Sequence, residues 1–204
     1  SPLPEGVTDK AVGEPSALGA AVGSTPEPAT WAAMLVVLAV IGGDEDTAGA
    51  AAIVDALGKV IADPALDDLM RGELMILPGE AYLAEQFAAA DPGAIRTARE
   101  DLKAQLGTGL EDQLVALHAR ASAVPYDLFA KSKGARKIKT QALALLAAGA
   151  PSLAAELAAT QFDGATNMTD RQGALMVLSG LDTPLRAEKL AQFHARFAGN
   201  ALVI

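Results

Sequence analysis

The chain has no cysteine, which excludes a disulfide framework, a thiolate nucleophile and any metal site built on sulfur. Histidine is nearly as scarce. With only His118 and His194 present, the two-histidine helical zinc motif H-E-x-x-H cannot be assembled. Neither a G-x-S-x-G elbow nor a phosphate-binding loop occurs. Cations are outnumbered, 16 Lys and Arg against 25 Asp and Glu. The resulting net charge of −9 and pI near 4.7 argue against nucleic acid or an anionic membrane as partner. No apolar run reaches the ~20 residues a membrane span needs. The longest, Trp31 to Ile41, is followed by Asp44, Glu45 and Asp46. Aromatics make up 4%, so Ala and Leu carry most of the apolar half, a composition that suits helices packed closely through small residues. A reducing compartment is compatible with these features, and the expected location is the cytoplasm.

A chain of 204 residues is long enough for one domain with a real core. Residues 1–28 are rich in Pro, Gly, Ala and Ser without periodicity, and read as a flexible linker or tail. Residues 29–204 then read as helices. The first is expected from Trp31 to Ile41, capped near Thr30 and ended by Gly42–Gly43. Its Pro-Glu-Pro opening resembles a sorting signal but lacks the terminal position and basic cluster that such a signal needs. Asp44 to Asp55 has acids at calcium-loop positions one, three and twelve and Gly49 at six, yet Ala48 and Ala52 stand where ligands belong. A helix from Thr47 to about Ile61 is the better reading. Asp63–Pro64 signals another start, with Leu66, Met70 and Leu74 at helical spacing. After Pro78–Gly79 comes a short helix through Tyr82, Leu83 and Phe87.

Asp91–Pro92 opens what reads as the longest helix, reaching about Ala121 on a stripe of Ile95, Ala98, Leu102, Leu106, Leu110, Leu114 and Leu117. Gly107 and Gly109 are its weak points. Glu100, Asp101, Glu111 and Asp112 fall on the polar side, as solvated charge rather than an acid/base pair. His118, beside Leu114 and Leu117, takes a packing or surface role. Lys131 to Lys139 holds five cations in nine residues and reads as a solvated helix face, the alternative being a site that binds an acidic partner or docks against another domain. That helix runs to Gly149, and Pro151 restarts the chain. Leu153, Leu157 and Gln161–Phe162 form the next stripe, and Leu175, Met176 and Leu178 the one after. Between them Thr169 and Gln172 fit a capping box, with Asp170 at the positive end of the helix dipole. A final helix from Pro184 to Phe197 lines up Leu185, Leu190, Phe193 and Phe197, with His194 at the core edge.

Gln161, Phe162, Ala165, Asn167, Met168, Thr169 and Asp170 spell Q-F-x-x-A-x-N-M-T-D. That run resembles the C-terminal helical domain of bacterial zinc-dependent aminopeptidase N. Weaker likenesses follow in order, among them Ala62 to Met70, Met75 to Phe87, Asp91 to Leu102, Ala135 onward and Phe193 onward. The resemblance runs from about Trp31 to the last residue. It implies an all-α fold of about nine helices, in antiparallel pairs stacked as an armadillo- or HEAT-like superhelix. It also implies a non-catalytic role, in which this front part of the domain shapes the access of peptide substrates and supports the catalytic domain, where the parent's zinc resides. No catalytic, cofactor-binding or metal residue is expected in this chain itself. Thr140 departs from the Asn common in the family after the pair matching Ile138–Lys139. A free-standing helical-repeat interaction module is the alternative. The last residues, Ala201 to Ile204, cap no array, so the last helix is expected to expose an apolar face with Leu190 and Phe197, and the chain to self-associate through it or to need a continuation.

Overall fold

The computed structural model describes residues 47–203, apart from Gln86 and Ala88. The tail at 1–28, the expected helix at Trp31 to Ile41 and the acids at 44–46 lie outside the described residues. All regular structure within them is helical: α1 Thr47–Ala62, α2 Asp68–Leu74, α3 Glu80–Ala84, α4 Pro92–Gly109, α5 Glu111–Ser122, α6 Ala130–Gly149, α7 Pro151–Gly164, α8 Met168–Gly180 and α9 Pro184–Phe197. Proline at the first turn of α4, α7 and α9 presets the backbone where its missing N–H is not needed. Asp91 and Thr183 cap α4 and α9 through side-chain oxygens.

The longest described helix is α6, and it is the axis of the array, packing against α2, α4, α5, α7 and α8. One apolar cluster joins α1 to α6 through residues such as Ile53, Leu83, Leu106, Leu114 and Ile138. A second, with Leu143, Ala158, Phe162, Ala174 and Leu178, continues through α7 and α8. The two meet along α6. In α7 the buried stripe consists of Ala154, Ala155, Ala158, Ala159 and Phe162, while Leu153 and Leu157 are only half-buried. Small side chains let α7 approach its neighbours closely, as the alanine-rich composition suggested.

Several boundaries differ from the sequence reading. The helix expected at Pro64 begins at Asp68, because Asp67 Oδ1 accepts from the N–H groups of Leu69 and Met70, both at 2.9 Å. Asp63–Pro64 forms a turn instead, with Asp63 Oδ1 accepting from Ala65 N at 2.8 Å. Arg71 holds this linker in place: buried, it donates to the carbonyls of Val60, Asp63 and Leu66. The helix expected from Pro92 to Ala121 is two helices, α4 and α5, broken at Leu110 with φ −116° and ψ 17°. Its leucine stripe is nonetheless buried throughout. The cause lies just before the break, where α4 meets the end of α6. A Cβ on Gly107 would sit 2.7 Å from Gly149 N, and Thr108 Oγ1 donates to Gly149 O at 3.3 Å. Only glycine permits this backbone-to-backbone approach.

The capping box at the start of α8 also lies two residues earlier than Thr169–Gln172. Asn167 is the N-cap, its Oδ1 accepting from Asp170 N at 2.9 Å, and Asn167 Nδ2 donates to Asp170 Oδ2 at 2.8 Å. Thr169 and Gln172 are exposed within the helix. Both spacings fit a cap in the sequence; burial of Asp170 decides between them. Asn167→Ala is therefore expected to cost about 1 kcal/mol, and Thr169→Ala less than about 0.5 kcal/mol. Urea unfolding of the two variants side by side checks the assignment, and a larger loss from Thr169→Ala would restore the original register.

The basic run proves not to be a solvated face. Ser132, Gly134, Ala135, Ile138 and Lys139 are buried, Arg136 and Lys137 half-buried, and only Lys131 and Lys133 are exposed. A helix surrounded by five others has little circumference left for water. At the other end, α9 buries only Lys189. Leu190 is 43% exposed, and His194 is exposed rather than at the core edge. Phe193 and Phe197 pack together with ring centroids 4.8 Å apart and planes tilted by 50°. Met176, assigned to a core stripe, is 73% exposed.

A buried polar network as the candidate functional site

The distinctive run at the end of α7 and the start of α8 folds into a buried set of polar contacts. Gln161 Nε2 donates to the Asp170 carbonyl at 2.9 Å, which leaves Oε1 as the acceptor for His118 Nε2 at 2.8 Å. The imidazole thus carries its proton on Nε2. Asp170 Oδ2 accepts from Lys139 Nζ at 2.7 Å, in addition to the Asn167 amide. Asp170 Oδ1 is buried with no partner among the described residues. Four helices are tied together here: His118 comes from α5, Lys139 from α6, Gln161 from α7 and Asp170 from α8. Gly173 lets α8 close on α6, since a Cβ there would meet Thr140 Oγ1 at 3.0 Å. Thr140, the departure from the family's Asn, donates to Arg136 O at 3.1 Å within its own helix.

Adjacent to it lies a second set around Phe162. Arg171 donates to the Ala165 carbonyl and stacks on the Phe162 ring at 5.4 Å, while Lys189 Nζ lies 6.0 Å from the same ring. Lys189 is bound by both Asp163 oxygens at 2.9 Å and by Glu188 at 3.0 Å. The Asp163 hydrogen bonds, followed by that of Glu188, hold its ammonium above the ordinary lysine value. A third set involves Asp68, paired with Arg71 and bidentate to Arg120 at 2.8 and 3.2 Å. It lies beside an open cleft of about 620 Å³.

Burial pushes the His118 imidazole below its ordinary value of 6.5, with Lys139 adding to the effect while the Gln161 hydrogen bond and Asp170 oppose it. A lowered value in the folded state means that the unfolded chain takes up the proton first. The neutral form therefore contributes stability that is complete above 6.5 and declines as pH falls below it. Wild-type unfolding midpoints are expected to drop between about pH 7.5 and pH 5.5, and His118→Gln to lose that part of the slope. Equal slopes in the two proteins would remove His118 from the account.

Most of the charged groups in these sets are paired with one another, Lys139 with Asp170 and Lys189 with Asp163 and Glu188. His118 has Gln161 as its partner, and His194 stands on the exposed face of α9, so the chain's two imidazoles are not brought together. Among the described residues no group of three His, Asp or Glu could hold a metal ion. The described residues do not fit a zinc site. Glu100, Asp101 and Asp112 are exposed, and Glu100 pairs with Lys103 at 3.0 Å. The sequence reading missed Arg71, Lys139, Arg171 and Lys189 as buried cations. Their signal was present but indirect, because each falls on or beside an apolar stripe.

The stacked helices and the buried ties between them define a helical-repeat array. Residues 29–204 match the family described as "Domain of unknown function (DUF3458_C) ARM repeats", and the chain belongs to that family. Aminopeptidase N of Escherichia coli (strain K12) is 31% identical over 152 residues, covering 74% of this chain and 18% of that protein. Aminopeptidase N of Caulobacter vibrioides is 31% identical over 172 residues, covering 83% and 20%. Among solved structures, Legionella pneumophila aminopeptidase A in complex with aspartic acid superposes with a TM-score of 0.75 at 17% identity, covering 93% of this chain and 24% of that one. That likeness shows the fold, an all-α array of stacked helices. The chain spans about a fifth of the length of the curated relatives, and is homologous to a helical domain of aminopeptidase N. The resemblance carried by Gln161 to Asp170 agrees with this result. No helix among the described residues is long and apolar enough to cross a membrane.

Proposed function

We propose that the chain is a non-catalytic helical part of a cytoplasmic zinc metallo-aminopeptidase N, supporting the catalytic domain and shaping the access of peptides to it. The observation that carries this reading is the fate of the matched motif. Gln161, Asn167 and Asp170 are engaged inside the fold with His118, Lys139 and each other, so these three residues of the motif build a corner of the fold rather than a substrate site. Zinc in the parent would supply an activated water in the catalytic domain. This chain contributes positioning alone. The purified chain, given zinc, is expected to release no amino acid from an anilide substrate. The polypeptide made from the complete natural reading frame is expected to do so and to carry an H-E-x-x-H motif. Stoichiometric zinc with chelator-sensitive activity in the chain alone would overturn the reading, and a frame without the motif would favour a free-standing interaction module.

The half-buried Phe193 and Phe197, on the same helix as exposed Leu190, support a further partner at the α9 end. Self-association of the isolated chain through this face is part of the reading. Light scattering that finds a strict monomer at high concentration would remove it.

A further inference from the structure

The open cleft beside Asp68, about 620 Å³ in volume, has ionised groups of both signs in its lining. Its acids Asp63 and Asp67 belong to the segment between α1 and α2, while Arg120 comes from the last turn of α5 and Lys131 from the first turn of α6. These segments are fixed relative to one another. Buried Arg71 ties the acid-bearing segment down through the carbonyls of Val60, Asp63 and Leu66. Arg71 and Arg120 share Asp68, which leaves one positive charge in excess there. Gly134 brings α6 against the start of α2, since a Cβ there would lie 2.7 Å from Leu69 N. Walls already in place lose little freedom when a ligand enters.

Three carboxylates, Asp63, Asp67 and Asp68, balance three cations, Arg71, Arg120 and Lys131, so the lining favours neither a simple anion nor a simple cation. Some of these charges are nevertheless left over. Asp63 Oδ1 accepts from Ala65 N, and Asp67 Oδ1 from Leu69 N and Met70 N. The second oxygen of each carboxylate takes no hydrogen bond from the described residues. Lys131 is exposed and forms no ion pair among them. Charges of opposite sign that line one cleft without reaching one another suit a ligand that itself carries both signs. The same lining contributes Ile61, Pro64, Leu66 and Leu69, the last 42% exposed, as apolar surface for a side chain.

We propose that this cleft binds a small zwitterion with an apolar side chain, an amino acid or short peptide with both termini free. Asp63 and Asp67 receive its ammonium group, Lys131 with the half-exposed Arg120 receives its carboxylate, and Leu66 and Leu69 contact its side chain. Every group involved belongs to this chain, so the test is independent of the function proposed above. The dipeptide Leu-Leu is titrated into the chain and followed by amide chemical shifts. Saturable binding with a Kd below about 1 mM is expected, with the shifts centred on the residues lining the cleft. Blocking either ligand charge, as N-acetyl-Leu-Leu or Leu-Leu-amide, should weaken binding about three- to five-fold. Lys131→Gln should weaken Leu-Leu by the same factor and leave Leu-Leu-amide unaffected, a coupling that a merely structural lysine would not show. Asp63→Asn with Asp67→Asn, which keeps the capping oxygens, should act in the same way toward the ammonium group. Gly-Gly should bind about ten-fold more weakly or less tightly still. No saturable shift up to about 10 mM Leu-Leu, or shifts centred away from the cleft, would overturn the site. Equal binding of the free and blocked dipeptides would do so as well, as would a Lys131→Gln effect that is the same for Leu-Leu and its amide.

Discussion

Lys139→Met is expected to lower stability by about 3–5 kcal/mol, among the largest losses available to a single side chain in this fold. The ammonium lies 2.7 Å from Asp170 Oδ2, and both side chains are about nine-tenths buried. Removing it leaves a carboxylate in a low-dielectric interior with the Asn167 amide as its remaining side-chain donor, while Oδ1 already lacks a partner. Desolvation then has no compensating charge. Replacing both partners, as Lys139→Met with Asp170→Leu, should recover most of the loss, since the pair's desolvation cost disappears together with its attraction. Urea unfolding of the two single variants and the double variant near neutral pH supplies the cycle. A single-variant loss below about 1 kcal/mol would mean that water reaches the pair, and that it does not act as an interior tie.

Gly107→Ala should cost about 3 kcal/mol or more, against the usual direction for glycine within a helix, where alanine gains up to about 1 kcal/mol. The new methyl would meet Gly149 N at 2.7 Å and Gly149 Cα at 3.0 Å, in addition to the Leu145 carbonyl. These are backbone atoms of α6 and cannot rotate away. The two helices must separate, which strains the packing of the central helix against α4. Gly149→Ala should behave alike, its Cβ falling 2.7 Å from Gly107 Cα. Gly164→Ala is the control. Nothing lies within 4 Å of a Cβ there, so its effect should stay within about 1 kcal/mol. Thermal or urea denaturation of the three variants separates steric exclusion from helix propensity, and a stabilised Gly107→Ala protein would refute the close crossing.

Much of this protein is determined by the sequence alone, wherever the deciding interaction is local. Asp91–Pro92, Gly149–Pro151 and Thr183–Pro184 mark helix limits through caps and fixed proline dihedrals that need no distant partner. The leucine stripe from Ile95 to Leu117 identified a buried face because periodicity survives a change of direction at Leu110. The family likeness from Gln161 to Asp170 was legible as wording before its contacts were known. Tertiary structure decided the rest. Asn167-to-Asp170 and Thr169-to-Gln172 are equally good local boxes; Lys139, 31 positions before Asp170, chooses between them by entering the same buried space. The basic run reads as solvent-facing until five neighbouring helices enclose α6. Gly107 reads as a flaw in a long helix until Gly149, 42 positions later, arrives against its backbone. Burial, charge pairing and backbone approach are properties of what comes from elsewhere in the chain, and periodicity carries no record of them.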